Sequence, residues 1–470
     1  MMSLPHGQPA ALPQGPARVG LIVLGACLAL LPPALRAQAV PAAPDAPTPA
    51  PLAQVADTAG AQPWTLHVQS TWIDQGHPPF DSPYEGANSL TAESESDRTF
   101  SFSIFSGYRL LPGTEVYFDP EFFQGHGLSN TLGMAGFPNG EGVKAAFPNL
   151  HYNTSRLYLQ QTFGLGGETE KVDNGHNQVA DVVDVNRVTL SVGKFAASDF
   201  FDDNAYSHDT RVQFMNWALW ESAAWDYPAD VVGYTAGFVA EWNMKDWTLH
   251  YGIFMEPTEP NGAVLDKHLL DAHGQILQLD RRYSVGDLTG AVRPFVFWNQ
   301  AKMGNYADAL ENPDIASSLG DSRAYRSKVG LGVSWDQQLA QDLGAFVRLS
   351  WDDGRSESFA FTEVDQSLAA GLSLSGARWG READTVGLAG VVNGIDSAHQ
   401  AYLAAGGVQG LILGDGALSY GPEEIAEAYY SFQAAKWLWI SPDFQYAVHP
   451  GYNRARGPVP IYALRVHIDF

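Results

Sequence analysis

From Trp64 to Phe470 the chain alternates apolar and polar residues with period two, the pattern of strands with one apolar and one polar face. Val188, Leu190 and Val192 share a face opposite Arg187, Thr189, Ser191 and Gly193. Tyr234, Ala236, Phe238, Ala240 and Trp242 oppose Thr235, Gly237 and Glu241, and Trp247, Leu249, Tyr251 and Ile253 oppose Thr248, His250 and Gly252. The alternation continues through Tyr325–Trp335, Leu343–Trp351 and Tyr462–Phe470. It predicts sixteen strands, over 64–74, 99–110, 114–123, 152–163, 186–195, 232–243, 246–256, 275–286, 289–300, 324–336, 341–352, 366–377, 383–393, 423–434, 436–448 and 458–470.

Tight turns such as Asn243-Met244-Lys245-Asp246 separate some strands, and long loops separate others. An even strand count with short turns at one end and long loops at the other is the plan of an all-β, closed antiparallel transmembrane β-barrel. A soluble sandwich alternates in the same way. The N-terminal leader, the loop asymmetry and the terminal Phe470 favour the barrel, whose closure leaves no unpaired backbone edge in lipid. Phe470 also looks like the terminal aromatic recognised by barrel assembly machinery.

The N-terminus changes the compartment. Arg18 precedes the apolar run Val19–Leu31, and Ala37-Gln38-Ala39 supplies a small-residue cleavage site, so 1–39 reads as a signal peptide. Leu24-Gly25-Ala26-Cys27 weakly resembles a lipoprotein cleavage box, but the apolar run continues past it. Residues 40–63 are rich in Ala and Pro without periodicity, a linker or periplasmic tail whose functional alternative is a partner contact. Beyond the N-terminus no stretch approaches the about 18–20 apolar residues of a spanning helix. Only 40–63 stands between leader and first strand, which excludes the plug domain of an active transporter.

The 27 basic and 52 acidic residues give a net charge of −25. The leader holds two of the basic ones, Arg18 and Arg36, so its removal leaves 25 against 52 and a charge of −27. That balance argues against a nucleic-acid partner, which needs a basic footprint. Aromatic residues at 12% argue against disorder.

Several stretches carry a family resemblance: FFQGHGLSNTLGMAGFPNGE (122–141), VGKFAASDFFDDNAYSHDTRVQFMNWALWESAAWDYPAD (192–230), FTEVDQSLAAGLSLSGARWGREADTVGLAGVVNG (361–394), YGPEEIAEAYY (420–430) and GYNRARGPV (451–459). They resemble the carbohydrate-selective porins of the OprB family, over about Trp64 to Phe470. The resemblance implies an outer-membrane channel, set in lipid and lipopolysaccharide, that passes monosaccharides and other small polar solutes passively. Residues 40–63 have no part in it. The competing reading is a polysaccharide-export or secretion-linked channel, which needs a wider bore.

A sugar path calls for paired donors and acceptors, which Arg forks and carboxylates supply. On lumen parity the strands offer Arg187, Arg293, Arg326 and Arg348, expected to face loop carboxylates. Other arginines and acids of that parity, among them Arg109, Arg156, Arg465, Glu241, Asp336, Asp352, Glu427 and Asp443, would equally solvate the wall of any porin. Loop 196–231 concentrates Asp199, Asp202, Asp203, Asp209, Arg211, Trp217 and Trp225, and the earlier loop adds Glu121 and Glu141. These are the candidate pore-lining or sugar-contacting residues; an extracellular cap is the alternative role for both loops. Asp199, Asp202 and Asp203 form a weak Ca²⁺ candidate without the spacing of an EF-hand. No HExxH and no Gly-x-Ser-x-Gly occurs, so neither an enzyme nor a cofactor is expected.

Overall fold

The computed structural model describes residues 62–142, 146–315, 317–360 and 363–470. The expected signal peptide, with Cys27, and nearly all of the 40–63 segment lie outside the described residues. The strands are β1 (Trp64–His77), β2 (Glu95–Leu111), β3 (Thr114–Gly125), β4 (Phe147–Gly164), β5 (Thr169–Val172), β6 (Asp181–Asp184), β7 (Arg187–Phe195), β8 (Thr235–Asn243) and β9 (Trp247–Met255). They continue with β10 (His273–Val285), β11 (Leu288–Met303), β12 (Ala324–Ala340), β13 (Leu343–Asp352), β14 (Gln366–Gly376), β15 (Arg381–Gly394), β16 (Glu423–Ala435), β17 (Leu438–Val448) and β18 (Val459–Asp469).

All but β5 and β6 form one closed antiparallel barrel of sixteen strands. Neighbours follow chain order, except that β7 pairs with β4 across the separate β5–β6 hairpin. Pairing of β1 with β18 closes the ring, and the Phe470 backbone exchanges hydrogen bonds with Val68 at 3.0 and 3.1 Å. Each of the sixteen predicted segments is a strand, with ends displaced by a few residues. Among the described residues no helix is long and apolar enough to cross a membrane; the crossing elements are strands.

Burial follows the alternation. On β12, Tyr325 and Leu331 are exposed while Lys328, Gly330, Gly332, Ser334 and Asp336 are buried. On β13, Leu349 and Trp351 are exposed and Arg348, Ser350 and Asp352 are buried. The exposed set, which also includes Leu66, Trp72, Leu388 and Leu464, forms the outer apolar surface. Tyr234 departs from the expected parity. It precedes β8, turns inward and is wholly buried, because its hydroxyl donates to Glu121.

The interior is packed rather than empty. Lumen-facing glycines lie beside large rings from neighbouring elements: a Cβ on Gly344 would come within 2.0 Å of Tyr206, a residue of the 196–234 loop. Gly344 is the second residue of β13, at the end where turns are short, so this loop enters the lumen deeply. Among the described residues four short α-helices, α1 (Trp217–Trp220), α2 (Tyr306–Glu311), α3 (Ser318–Asp321) and α4 (Ser397–Ala404), lie in long loops. The first belongs to the inserted segment. Asn216 caps it by accepting from Ala218 N at 3.0 Å.

Candidate functional site

The 196–234 loop is fastened to the wall along its length. Asp202, wholly buried, accepts from Ser222 N at 2.5 Å and Ser222 Oγ at 2.8 Å and pairs with Arg348 Nε at 3.3 Å. Arg348 Nη1 donates to Leu219 O and Nη2 to Asp202 O, each at 3.0 Å. Met215 N and Asn216 N donate to Glu427 on β16 at 2.6 and 2.9 Å. Arg465 on β18 donates to Thr210 O and Gln213 O at 2.6 and 2.7 Å. Asp226 receives Lys328 Nζ from β12 at 3.0 Å, with both side chains fully buried. A charge this deep is tolerated only when paired.

Between this loop and the β3–β4 side lies a dense charge cluster. Glu121 of β3 accepts from Ser103 Oγ at 2.9 Å, Ser155 Oγ at 2.6 Å, Arg211 Nη2 at 2.5 Å and the Tyr234 hydroxyl. The same Arg211 nitrogen lies 3.2 Å from Glu141 Oε2 in the 126–146 connection. Asn139 positions that segment: its Oδ1 accepts from Glu141 N at 3.0 Å, and its Nδ2 donates to Thr99 Oγ1 at 3.0 Å. Arg211 Nε is buried and makes no hydrogen bond among the described residues. Burial opposes its charge, but Glu141, Glu121 and Asp209 outweigh that cost and raise the guanidinium's pKa. Asp209 in turn accepts from Arg211 N at 2.8 Å. Desolvation would raise its carboxyl pKa, yet the Arg211 charge and N–H hold it below the ordinary range.

A second group adjoins the first through Tyr234. Arg156 donates to Asp199 at 2.8 and 2.5 Å, lies 3.6 Å from Asp119, and places its guanidinium 5.6 Å from the centre of the Tyr234 ring. Lys194 lies on that ring too, at 5.8 Å. Arginines and carboxylates thus alternate along one side of the inserted loop, buried at Glu121, Glu141 and Arg211 and exposed at Asp199 and Asp209.

The candidate residues separate into distinct environments. Glu121, Glu141, Arg211 and Asp209 come together, and Asp199 joins Arg156. Arg293 pairs with Asp336 and, at 3.3 Å, with Asp203; His208 and Arg293 overcome desolvation and lower the Asp203 pKa. Arg348 is 2% exposed, with its donors committed to the loop. Arg326 meets Asp308 at 2.6 Å near the long-loop end, whereas Arg187 meets Glu170 at 2.6 Å at the short-turn end. Each of the four arginines lies within 3.3 Å of a carboxylate on a loop or on the β5–β6 hairpin, at different heights in the barrel rather than around one ring. Trp217 stacks on Phe137 with centroids 5.1 Å apart, and Trp225 packs against Phe201 and Phe295. These indoles are buried and belong to the core cluster. Asp199, Asp202 and Asp203 diverge to Arg156, Arg348 and Arg293; among the described residues no group of three His, Cys, Asp or Glu side chains is arranged to hold a metal ion.

Tyr234, Glu427 and the Lys328–Asp226 pair carry much of the loop's attachment, and the sequence reading gave none of them that role. Their partners lie far away in the chain, so no local pattern marks them. The 22-residue separation between predicted strands 152–163 and 186–195 was the one visible sign of the β5–β6 hairpin.

A closed sixteen-strand barrel with long loops at one end, one of them folded into a charged lumen, defines an outer-membrane porin. The family model of the carbohydrate-selective porin, OprB family, matches residues 87–470, and the chain belongs to that family. It is a family of channels and not of enzymes. No curated protein matches the chain. The high-pH structure of OprB from Pseudomonas putida aligns with a TM-score of 0.66 at 16% identity, over 87% of this chain and 94% of that one. The DcaP channel of Acinetobacter baumannii aligns at 0.47 and 9% identity over 88% and 98%, and OccK2 of Pseudomonas aeruginosa at 0.44 and 10% over 87% and 97%.

Proposed function

We propose that this porin passes monosaccharides and other small polar solutes by passive diffusion, and that the Arg211–Glu121–Glu141 cluster beside the inserted loop forms its narrowest selective part. The observation that carries the reading is Arg211, whose Nη2 is held between the Glu121 and Glu141 carboxylates beside the inserted loop. Such a group offers a donor beside acceptors, the pairing that vicinal hydroxyls require. One guanidinium between two carboxylates leaves a net negative charge, which disfavours an anionic solute and leaves a neutral one unopposed. The depth of the loop supports a narrow bore over a polysaccharide-export channel, whose polymer needs an open lumen. Outer-membrane lipid and lipopolysaccharide would surround the apolar band.

Liposome swelling with a graded sugar series tests the reading. Hexoses should enter readily and trisaccharides should be excluded. Equal rates for both would refute a monosaccharide-sized constriction.

A further inference from the structure

The connections between barrel strands at the short-turn end are brief, with one exception: residues 165–186, between β4 and β7, which include the β5–β6 hairpin. This segment does not hang free. Arg187 at the start of β7 donates to Glu170, and Arg109 of β2 donates to Ala180 O at 2.9 Å and pairs with Asp181 at 3.1 Å. The tip reaches strands farther round the ring. Asn174 Oδ1 accepts from Thr65 Oγ1 at 2.8 Å, and Asn174 Nδ2 donates to Trp64 O at 3.2 Å, both on β1. His176 stacks on Phe105 of β2 with centroids 4.2 Å apart, and its Nε2 lies 3.1 Å from Asp469 of β18. The hairpin therefore bridges part of the barrel mouth from β4 and β7 to β1 and β18.

Above this bridge, against β3, β4 and β7 to β10, lies a cavity of about 340 Å³. Its size is at the lower end of the roughly 300–1,000 Å³ of small-molecule sites. Gln160, Thr162, Thr189, Asn243 and Thr248 line the wall, while Asn177 and Gln178 line the hairpin side. Most nearby charges are paired: Glu241 and Asp280 each lie 3.2 Å from His250, Glu115 and Asp181 share Arg109, and Arg187 meets Glu170, while Arg282 donates to neutral acceptors, Thr248 Oγ1 at 2.7 Å, Asn243 Oδ1 at 3.1 Å and Met244 O at 2.7 Å. Amides, hydroxyls and charges already engaged by protein partners around a partly open space suit a neutral polyol better than an ion.

We infer that this chamber is a second solute site, in series with the Arg211 cluster, that takes a neutral polyol of monosaccharide size and uses the hairpin as one wall. The inference rests on the reading that sugars traverse the barrel. A solute crossing the lumen would exchange hydrogen bonds with the upper cluster for bonds with Gln160, Thr189 and the hairpin amides before leaving. The hairpin would convert an open vestibule into a bounded station.

Single-channel recording with glucose tests this. The wild type should show two classes of glucose-induced current interruption. Arg211→Ala should abolish one class, whereas Thr189→Val or Gln160→Leu should shorten the other about five-fold, the equivalent of one hydrogen bond of ~1 kcal/mol. Glucose-free conductance should hardly change in the two chamber variants, and heat-modifiable mobility establishes that each is assembled. Using two separate wall positions guards against failure of either one to assemble. A single interruption class, sensitive to Arg211→Ala and indifferent to both chamber variants, would overturn the second site while leaving the sugar pore intact. Absence of both interruption and glucose-driven swelling in the wild type would instead refute the sugar reading on which this inference depends.

Discussion

The two connections that flank β7 are fixed in opposite ways. The segment after it, 196–234, is held by buried charges and apolar anchors: Asp202, Phe201, Phe214 and Asn216 have no exposed surface. The segment before it, 165–186, keeps Glu168, Glu170 and Lys171 exposed; of its apolar residues Val179 is the one deeply buried. Ions buried in the first case are costly unless every partner is present, so the loop is locked as part of the core. Ion pairs in the second case are partly hydrated and worth little individually. One strand thus joins an element packed into the interior to a peripheral element at the barrel mouth.

The largest effect should come from the buried lock. Asp202→Ala leaves Arg348 without its carboxylate at 2% exposure, and removing one partner of such a pair costs about 3–5 kcal/mol. The variant should lose heat-modifiable mobility at a lower temperature than the wild type. An unchanged transition would show that the inserted loop is not coupled to barrel stability.

Next in size is the selective cluster. Arg211→Ala removes charge-assisted donors worth about 1.5–3 kcal/mol. Sugar flux should fall about ten-fold, and the reversal potential should move toward cations because Glu121 and Glu141 lose their counter-charge. A shift in potential with full sugar flux would reduce Arg211 to wall electrostatics.

The pH dependence of the loop follows from Asp203 and Asp209, whose pKa values are lowered in the folded chain. Groups of this kind contribute stability above their unfolded value of about 3.9 and lose it as pH falls through the folded value. Their part in loop docking should therefore stay constant from pH 7 to about pH 4 and weaken below that. In variants with Asn at both positions, the conductance change below pH 4 should be smaller than in the wild type. Identical acid profiles would remove these two carboxylates from the account.

The smallest effect belongs to the hairpin. His176→Ala removes an exposed pair with Asp469 and a stack on Phe105, and should cost no more than about 1 kcal/mol. Thermal mobility should be nearly wild-type. A loss as large as that of Asp202→Ala would erase the contrast between the two connections.

The barrel was legible because lipid and lumen impose period two on every strand, and residues such as Leu349 and Arg348 declare their faces at once. The hairpin was not, because Thr169–Val172 and Asp181–Asp184 are too short and too polar for alternation to register. Residue types in the charge cluster were readable, but pairing was not. Arg211 meets Glu121 and Glu141 across long sequence separations, and parity alone cannot distinguish an arginine lining a path from one buried beneath a loop, as Arg348 is. Tyr234 misled the alternation because it lies just before β8, where the backbone has not yet joined the sheet.

The claim that the inserted loop sets the bore can be tested at one place. Ala205 and Gln213 are already adjacent, with Gln213 Nε2 donating to Ala205 O at 3.1 Å. Residues Tyr206–Val212 can therefore be excised and replaced by two glycines while Asp202, Met215 and Asn216 keep their anchors. Liposome swelling with mono-, di- and trisaccharides should then show a raised size limit, with trisaccharides entering where the wild type excludes them. An assembled variant with an unchanged size limit would contradict the account.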